Sequence, residues 1–158
     1  MKKSTTCFFT GHRNLIVTDE LLERLNSTLI RFIKNDGITD FYAGGALGWD
    51  MVCENAVLNL KQRFPHIKLH LILPCRPDEQ CKKWRPEQRA EFDRIFQAAD
   101  SVEILSENYY DGCMEARNAR LVELGDYCIC CLDDRHWGGT YQTVNMANRS
   151  GKDVVNFL

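Results

Sequence analysis

The chain has 158 residues, of which 44% are hydrophobic and 27% charged, and its formal net charge is −2. This length suits one domain with a complete core and is short for two, so we expect a single domain over residues 1–158. The small negative charge argues against a nucleic-acid partner or an anionic membrane surface. No apolar run approaches the roughly 20 residues needed to cross a bilayer.

The amino-terminal residues and the eight cysteines bear on the cellular compartment. Residues 1–3 resemble the start of a secretion signal, but the apolar run that follows ends at Gly11, too early for one. Most cysteines fall on apolar positions, as in the run 127–132, where a thiol behaves as a small hydrophobe. Cys75 and Cys81 have no matching second pair, so zinc is not expected. We predict a cytoplasmic protein with reduced cysteines and without a bound metal or cofactor.

Hydrophobic periodicity predicts strands alternating with helices along the chain. The predicted strands are residues 5–10, 39–43, 67–73, 100–105, 127–132 and 154–157. Helices are predicted from the Thr18 N-cap to Asp36, from the glycine loop to Phe64, from Pro86 to Ala99, from Met114 to Leu124 and from Thr140 to Ser150. This alternation predicts a three-layer α/β fold with an open, mostly parallel sheet, right-handed crossovers and helices on both faces.

A glycine-rich segment, residues 41–50, joins the second predicted strand to the next helix. A strand, a glycine loop and a helix N-terminus in this order present backbone N–H groups and the positive end of the helix dipole to an anion. The segment matches neither the dinucleotide-binding fingerprint nor the P-loop, and it contains no lysine. Anion binding and a tight structural turn both remain open. The residues predicted to contact a ligand here are Gly44, Gly45, Ala46, Gly48 and Asp50.

Three further segments follow predicted strands and are expected at the same edge of the sheet, because the carboxyl ends of parallel strands lie together. Thr10-Gly11-His12-Arg13 ends the first strand, Pro74 follows the third, and Gly138-Gly139-Thr140 follows the fifth. Two glycine-rich helix N-termini facing one cleft predict a site for a phosphorylated ligand such as a nucleotide. The alternative is that these glycines serve only the turns.

Several individual side chains are candidates for this cleft. Arg13 offers a planar fork suited to an anion. His12 could act as a general base, donate to a phosphate, or be only a solvated loop residue. Arg117 and Asn118 lie in the N-terminal half of their predicted helix, near the same edge. Trp84 either covers the core or provides a stacking surface for a base.

These motifs, in this order, resemble the SLOG superfamily of Rossmann-like nucleotide-binding proteins, and in particular its small single-domain YpsA-like branch. Residues 10–13 are similar to the T-G-H-R opening of that branch, and residues 44–50 to its G-x-x-x-G-x-[DE] loop. The pair Gln80 and Trp84 is a further feature of the branch. The resemblance implies a Rossmann-like fold and is consistent with a homodimer.

Two further segments resemble motifs shared with DprA and with the cytokinin-activating LOG enzymes: Arg117-Asn118, and Gly138-Gly139-Thr140 followed by Thr143. LOG enzymes release a base from a nucleoside monophosphate and require a glutamate at the end of their glycine motif. Thr143 stands at the matching position here, and a threonine cannot supply the carboxylate that assists glycosidic cleavage. DprA-type proteins bind single-stranded DNA, against which the net charge argues.

The resemblance therefore implies a class of ligand more than a reaction. We predict a sensor or carrier of a nucleotide-derived phosphorylated molecule, with Thr143 among the ligand-binding residues. One alternative is an N-glycoside hydrolase or transferase that uses Asp50 or His12 in place of the missing glutamate. Another is a scaffold that acts through protein partners.

Overall fold

The computed structural model describes residues 4–158; residues 1–3, which entered the localisation prediction, lie outside this range. The strands are β1 (Thr6–Gly11), β2 (Asp40–Ala43), β3 (Lys68–Leu73), β4 (Ser101–Ile104), β5 (Tyr127–Cys131) and β6 (Asp153–Asn156). The helices are α1 (Asp19–Lys34), α2 (Trp49–Leu60), α3 (Pro77–Gln80), α4 (Pro86–Ala98), α5 (Cys113–Leu124) and α6 (Gly139–Arg149).

The described strands form one sheet in the order β4-β3-β2-β1-β5-β6, and every neighbouring pair is parallel. The chain moves outward from β1 to β4, and then returns to the other side of β1 as β5. The connections that leave β1 and β5 therefore diverge, which opens a crevice at the carboxyl ends of these strands. The predicted open parallel sheet is confirmed.

Helices cover both faces of the sheet, as the alternation of side chains along β1 shows. Cys7 and Phe9 belong to the larger core, which includes residues of α1, α2 and α4. Phe8 points to the opposite face and joins the smaller core with residues of α5 and α6. Successive side chains of a strand point to opposite faces, so a central strand covered on both sides must be apolar throughout.

The largest difference from the predicted boundaries lies at the end of α2. The helix was expected to reach Phe64, but it ends at Leu60, after which the amides of Gln62 and Arg63 bond to carbonyls three residues back in a tighter turn. The single turn α3 was not predicted. Its start carries the expected signals, since Pro77 occupies the first turn together with the acidic Asp78.

The cysteines are all buried free thiols within residues 4–158. Burial raises the pKa of Cys131 to about 11, so this thiol stays protonated and behaves as part of the apolar core. Across the same residues, no helix combines the length and the apolar character needed to cross a membrane. The cytoplasmic location and the single domain remain predictions.

Candidate functional site

A polar cavity of about 440 Å³ lies at the carboxyl ends of β1 and β5, where the strand order reverses. Its volume falls within the range of about 300–1,000 Å³ that is usual for small-molecule sites. Its walls come from the β1–α1 loop, the start of α2, the first turns of α5 and the β5–α6 loop. The predicted site residues that line it are Thr10, Gly11, His12, Arg13, Ala46, Asp50, Arg117, Asn118, Gly138, Gly139 and Thr140.

The remaining predicted site residues lie outside this lining: Gly44, Gly45, Gly48, Pro74, Trp84 and Thr143. The ring of Trp84 packs edge-on against Phe92, with 5.7 Å between the ring centroids, and so it covers the core. Thr143 is fully buried, and its hydroxyl donates to the carbonyl of Gly139 at 2.7 Å. These two side chains act through packing and not at the cavity wall.

The glycine loop, residues 44–48, uses its amides within the protein. The amide of Gly45 donates to Oε2 of Glu54 at 3.0 Å, and the amide of Ala46 donates to Oδ2 of Asp50 at 3.2 Å. Residues four apart share a helix face, so α2 directs both carboxyl groups toward the loop that precedes it. Two of the N–H groups that the sequence analysis assigned to a ligand are therefore occupied by side chains of α2. The sequence analysis missed Glu54, although the spacing of the two acids was visible.

Burial controls the charge of this acid pair. Asp50 is 6% exposed and Glu54 is 0% exposed. Burial raises the pKa of Asp50, against the opposing effect of Arg117, and burial together with Asp50 raises the pKa of Glu54 well above its ordinary value. Among the described residues, Oε1 of Glu54 has no hydrogen-bond partner. A carboxyl with a raised pKa at a cavity wall, as Asp50 is, is a candidate for holding or delivering a proton.

Arg117 extends from α5 beneath the glycine loop to the cavity wall, and only 4% of it is exposed. Its Nη1 donates to the carbonyl of Gly44 at 2.5 Å, and its Nε donates to Oδ1 of Asn118 at 2.9 Å. The absence of a side chain at position 44 makes room for this arginine, because a Cβ there would lie 2.7 Å from Cζ of Arg117. The guanidinium is therefore held in place by backbone and amide oxygens.

Arg117 and Arg13 place positive charge at the cavity without contact ion pairs. Within residues 4–158, no carboxylate oxygen lies within 4.0 Å of a guanidinium nitrogen of either arginine. Burial lowers the pKa of Arg117 against the opposing effects of Asp50 and Glu54, and the nearby Arg13 lowers it further. Arginine nevertheless stays charged in proteins, so this buried charge is only partly compensated by the residues around it.

The β5–α6 loop is anchored to the β1–α1 loop. The amide of Asp133 donates to Nε2 of His12 at 3.2 Å, so this ring nitrogen acts as an acceptor. Asp133 also accepts two side-chain hydrogen bonds from Arg135, at 2.8 and 2.7 Å, and these bonds hold the pKa of Asp133 below its ordinary value. The sequence analysis missed Arg135 and Trp137, which both line the cavity.

The first turn of α6 completes the wall. Gly138, the N-cap, has a φ of 97°, a value that L side chains rarely adopt, and it provides no side-chain cap. The first amides of a helix have no intrahelical acceptor, and the positive end of the dipole lies beside them. Gly138, Gly139 and Thr140 therefore bring a helix N-terminus to the same cavity as Arg13 and Arg117.

The sheet and the cavity define a Rossmann-like α/β protein with a polar pocket at the switch point of a parallel sheet. The solved structure of TM1055 has the same fold, with a TM-score of 0.55 and 15% identity over 95% of this chain and 72% of that one. The chain belongs to the YspA SLOG family, whose model matches residues 7–155. The family resemblance noted from the sequence is confirmed.

Bacterial relatives span most of the chain. A UPF0398 protein of Halalkalibacterium halodurans is 27% identical over 144 residues, which are 90% of this chain and 73% of the relative. A UPF0398 protein of Brevibacillus brevis is 30% identical over 72% of this chain and 60% of the relative. The similarity therefore extends across the elements that build the cavity.

Proposed function

We propose that the protein binds a phosphorylated, nucleotide-derived ligand in this cavity, as a sensor or carrier. The observation that carries the proposal is the buried guanidinium of Arg117 at the cavity wall, which has no carboxylate in contact among the described residues. Burying a charge is costly unless an opposite charge accompanies it. An anionic ligand group would supply that charge, and membership of the SLOG family favours a nucleotide-derived one.

The arrangement favours the first turn of α6 for the phosphate. The amides of Gly45 and Ala46 already bond to carboxyl groups, whereas the α6 turn presents its N-terminus to the cavity. Arg13 and Arg117 line the same space, and guanidinium groups bind phosphate oxygens in paired, charge-assisted hydrogen bonds. Because the pKa of Asp50 is raised, this acid repels a phosphate less than an ordinary aspartate would.

Isothermal titration calorimetry with AMP, ADP-ribose and ribose 5-phosphate tests the proposal. Arg117→Ala should weaken binding of the phosphorylated ligands by about 10- to 100-fold, the effect of losing one charge-assisted hydrogen bond. Arg149→Ala, at the opposite end of α6 and outside the cavity lining, is the matched control and should leave affinity unchanged. Absence of binding by the wild-type protein at millimolar ligand would refute the proposal.

A second candidate is cleavage or transfer of an N-glycosidic bond, with Asp50 as the acid. It is favoured by the position of this carboxyl at the cavity wall and by its raised pKa. Chromatography would monitor the release of free base from a nucleoside monophosphate. Asp50→Asn should then abolish this release while ligand binding persists. Asp126→Asn is the control, since that carboxylate bonds to Lys152 and lies outside the cavity lining. Equal activity of the Asp50 variant and the wild type would exclude this role.

A further inference from the structure

Trp137 is an indole at the edge of the cavity that the core does not use. It lines the cavity and is 67% exposed, whereas Trp49 is fully buried and Trp84 packs on Phe92. Leaving a large aromatic surface in water forgoes the stabilisation that burial provides. An exposed indole beside a polar cavity is therefore available to a ligand that has an apolar, flat surface.

The Trp137 ring contacts the guanidinium group of Arg135. The guanidinium carbon of Arg135 lies 4.8 Å from the centroid of the Trp137 ring, in the geometry of a cation–π contact. Arg135 is itself fixed by the two side-chain bonds to Asp133, and the backbone of Asp133 bonds to His12. The contact with Arg135 favours one orientation of the ring, and a ring with fewer accessible orientations loses less entropy on stacking.

Trp137 immediately precedes the turn that is the proposed phosphate position, and both line the same cavity. Gly138 and Gly139 follow directly and form the first turn of α6, the proposed phosphate position. A Cβ built at Gly138 has no atom of a non-adjacent residue within 4 Å, so the chain leaves open space beside the start of this turn. A ligand with its phosphate at the turn can therefore place an attached ring against the indole.

We propose that Trp137 is a base-stacking platform, on which the heteroaromatic base of a nucleoside 5′-phosphate lies while its phosphate occupies the first turn of α6. This inference rests on the proposed function and narrows the ligand from any sugar phosphate to one that carries an aromatic base. Stacking tolerates different bases because every base has a π face. The indole thus favours ligands that carry a base, whereas specificity for one base over another must come from other residues of the cavity.

Calorimetry with AMP and with ribose 5-phosphate, which lacks the base, separates the two parts of the ligand. Trp137→Ala should weaken AMP binding by about 5- to 150-fold, the range for the loss of one base–aromatic stack, and should change ribose 5-phosphate binding less than about twofold. Trp137→Phe should restore most of the AMP affinity. Tyr109→Ala is the matched control: this aromatic is 55% exposed and lies outside the cavity lining, so AMP affinity should not change.

Fluorescence gives a second readout. AMP should quench tryptophan emission in the wild type and not in Trp137→Phe, since the remaining indoles are packed in the protein. The stacking inference is overturned if Trp137→Ala weakens both ligands equally or neither of them. If the wild type binds ribose 5-phosphate and AMP with the same affinity, stacking fails and the proposed function stands. If neither phosphate binds, both fail together.

Discussion

Replacing Gly44 by alanine should destabilise the protein by displacing Arg117. A Cβ at position 44 would lie 2.7 Å from Cζ and 3.0 Å from Nε of this arginine, closer than such atoms normally approach. Gly44 is not among the residues with positive φ, so its backbone is open to alanine. The conflict is therefore between side chains, and the guanidinium must leave the carbonyl of Gly44 to relieve it.

Two opposing contributions set the size of the effect. A hydrogen bond from a charged donor contributes about 1.5–3 kcal/mol, and this bond is lost when Arg117 moves. Alanine also lowers the conformational entropy of the unfolded chain, which stabilises the folded protein by about 0.4–1 kcal/mol. The expected decrease in the free energy of unfolding is therefore about 0.5–2.5 kcal/mol. For a domain of this length, each kcal/mol lowers the Tm by about 2–4 °C.

Urea denaturation of a double-mutant cycle tests this reasoning. In an Arg117→Ala background the obstructing side chain is absent, so Gly44→Ala should be neutral or slightly stabilising, which gives a coupling energy of about 1 kcal/mol or more. Gly139→Ala is the control, because its Cβ would meet only Nδ2 of Asn118, at an ordinary 3.7 Å. Additive effects of the Gly44 and Arg117 substitutions would refute the proposed conflict.

Three further predictions follow from the buried residues around the site. A raised folded-state pKa means that Glu54 stabilises the protein below its unfolded pKa of about 4.5 and loses this contribution as the pH rises through the folded pKa. Glu54→Gln should therefore reduce the loss of stability that urea denaturation measures as the pH rises above about 4.5; an unchanged pH profile would contradict this. Trp49→Ala should cost about 3–5 kcal/mol of unfolding free energy, because the ring is fully buried against Phe157, and a cost below about 1 kcal/mol would be inconsistent with that burial. His12→Ala should speed amide hydrogen exchange at Asp133, whose N–H it accepts, and unchanged exchange there would argue against the anchor.

The fold could be predicted from the sequence because its signals are local. The central strands are apolar runs and the longer helices carry apolar stripes, and their alternation leaves few arrangements other than a parallel sheet. The location of the cavity followed from the same pattern, since segments such as 10–13 and 138–140 each follow a strand and must lie at its carboxyl end. These inferences need no knowledge of which side chains meet.

The finer assignments could not be predicted, because they depend on tertiary contacts. The sequence predicts a glycine loop whose amides could bind a ligand, but in the structure the carboxyl groups of Glu54 and Asp50 accept hydrogen bonds from the amides of Gly45 and Ala46. Trp137 carries no periodic signal, and its exposure beside the cavity appears only when the β5–α6 loop is in place. Propensity and spacing identify where a site forms, whereas the direction of each polar group is set by packing around it.

Of the two interpretations left open for the glycine loop, anion binding and a tight structural turn, the contacts of its glycines favour the structural one. Gly44 makes room for Arg117, and Gly48, with a φ of 81°, lets the chain pass the carbonyl of His12, to which a Cβ would come within 2.5 Å. That same carbonyl accepts the amide of Trp49 at the start of α2. The glycines therefore bring the β1–α1 loop, α2 and the arginine of α5 close together. In the proposed anion site, the loop would contribute through the Arg117 charge that it positions, because the amides of Gly45 and Ala46 already bond to carboxyl groups.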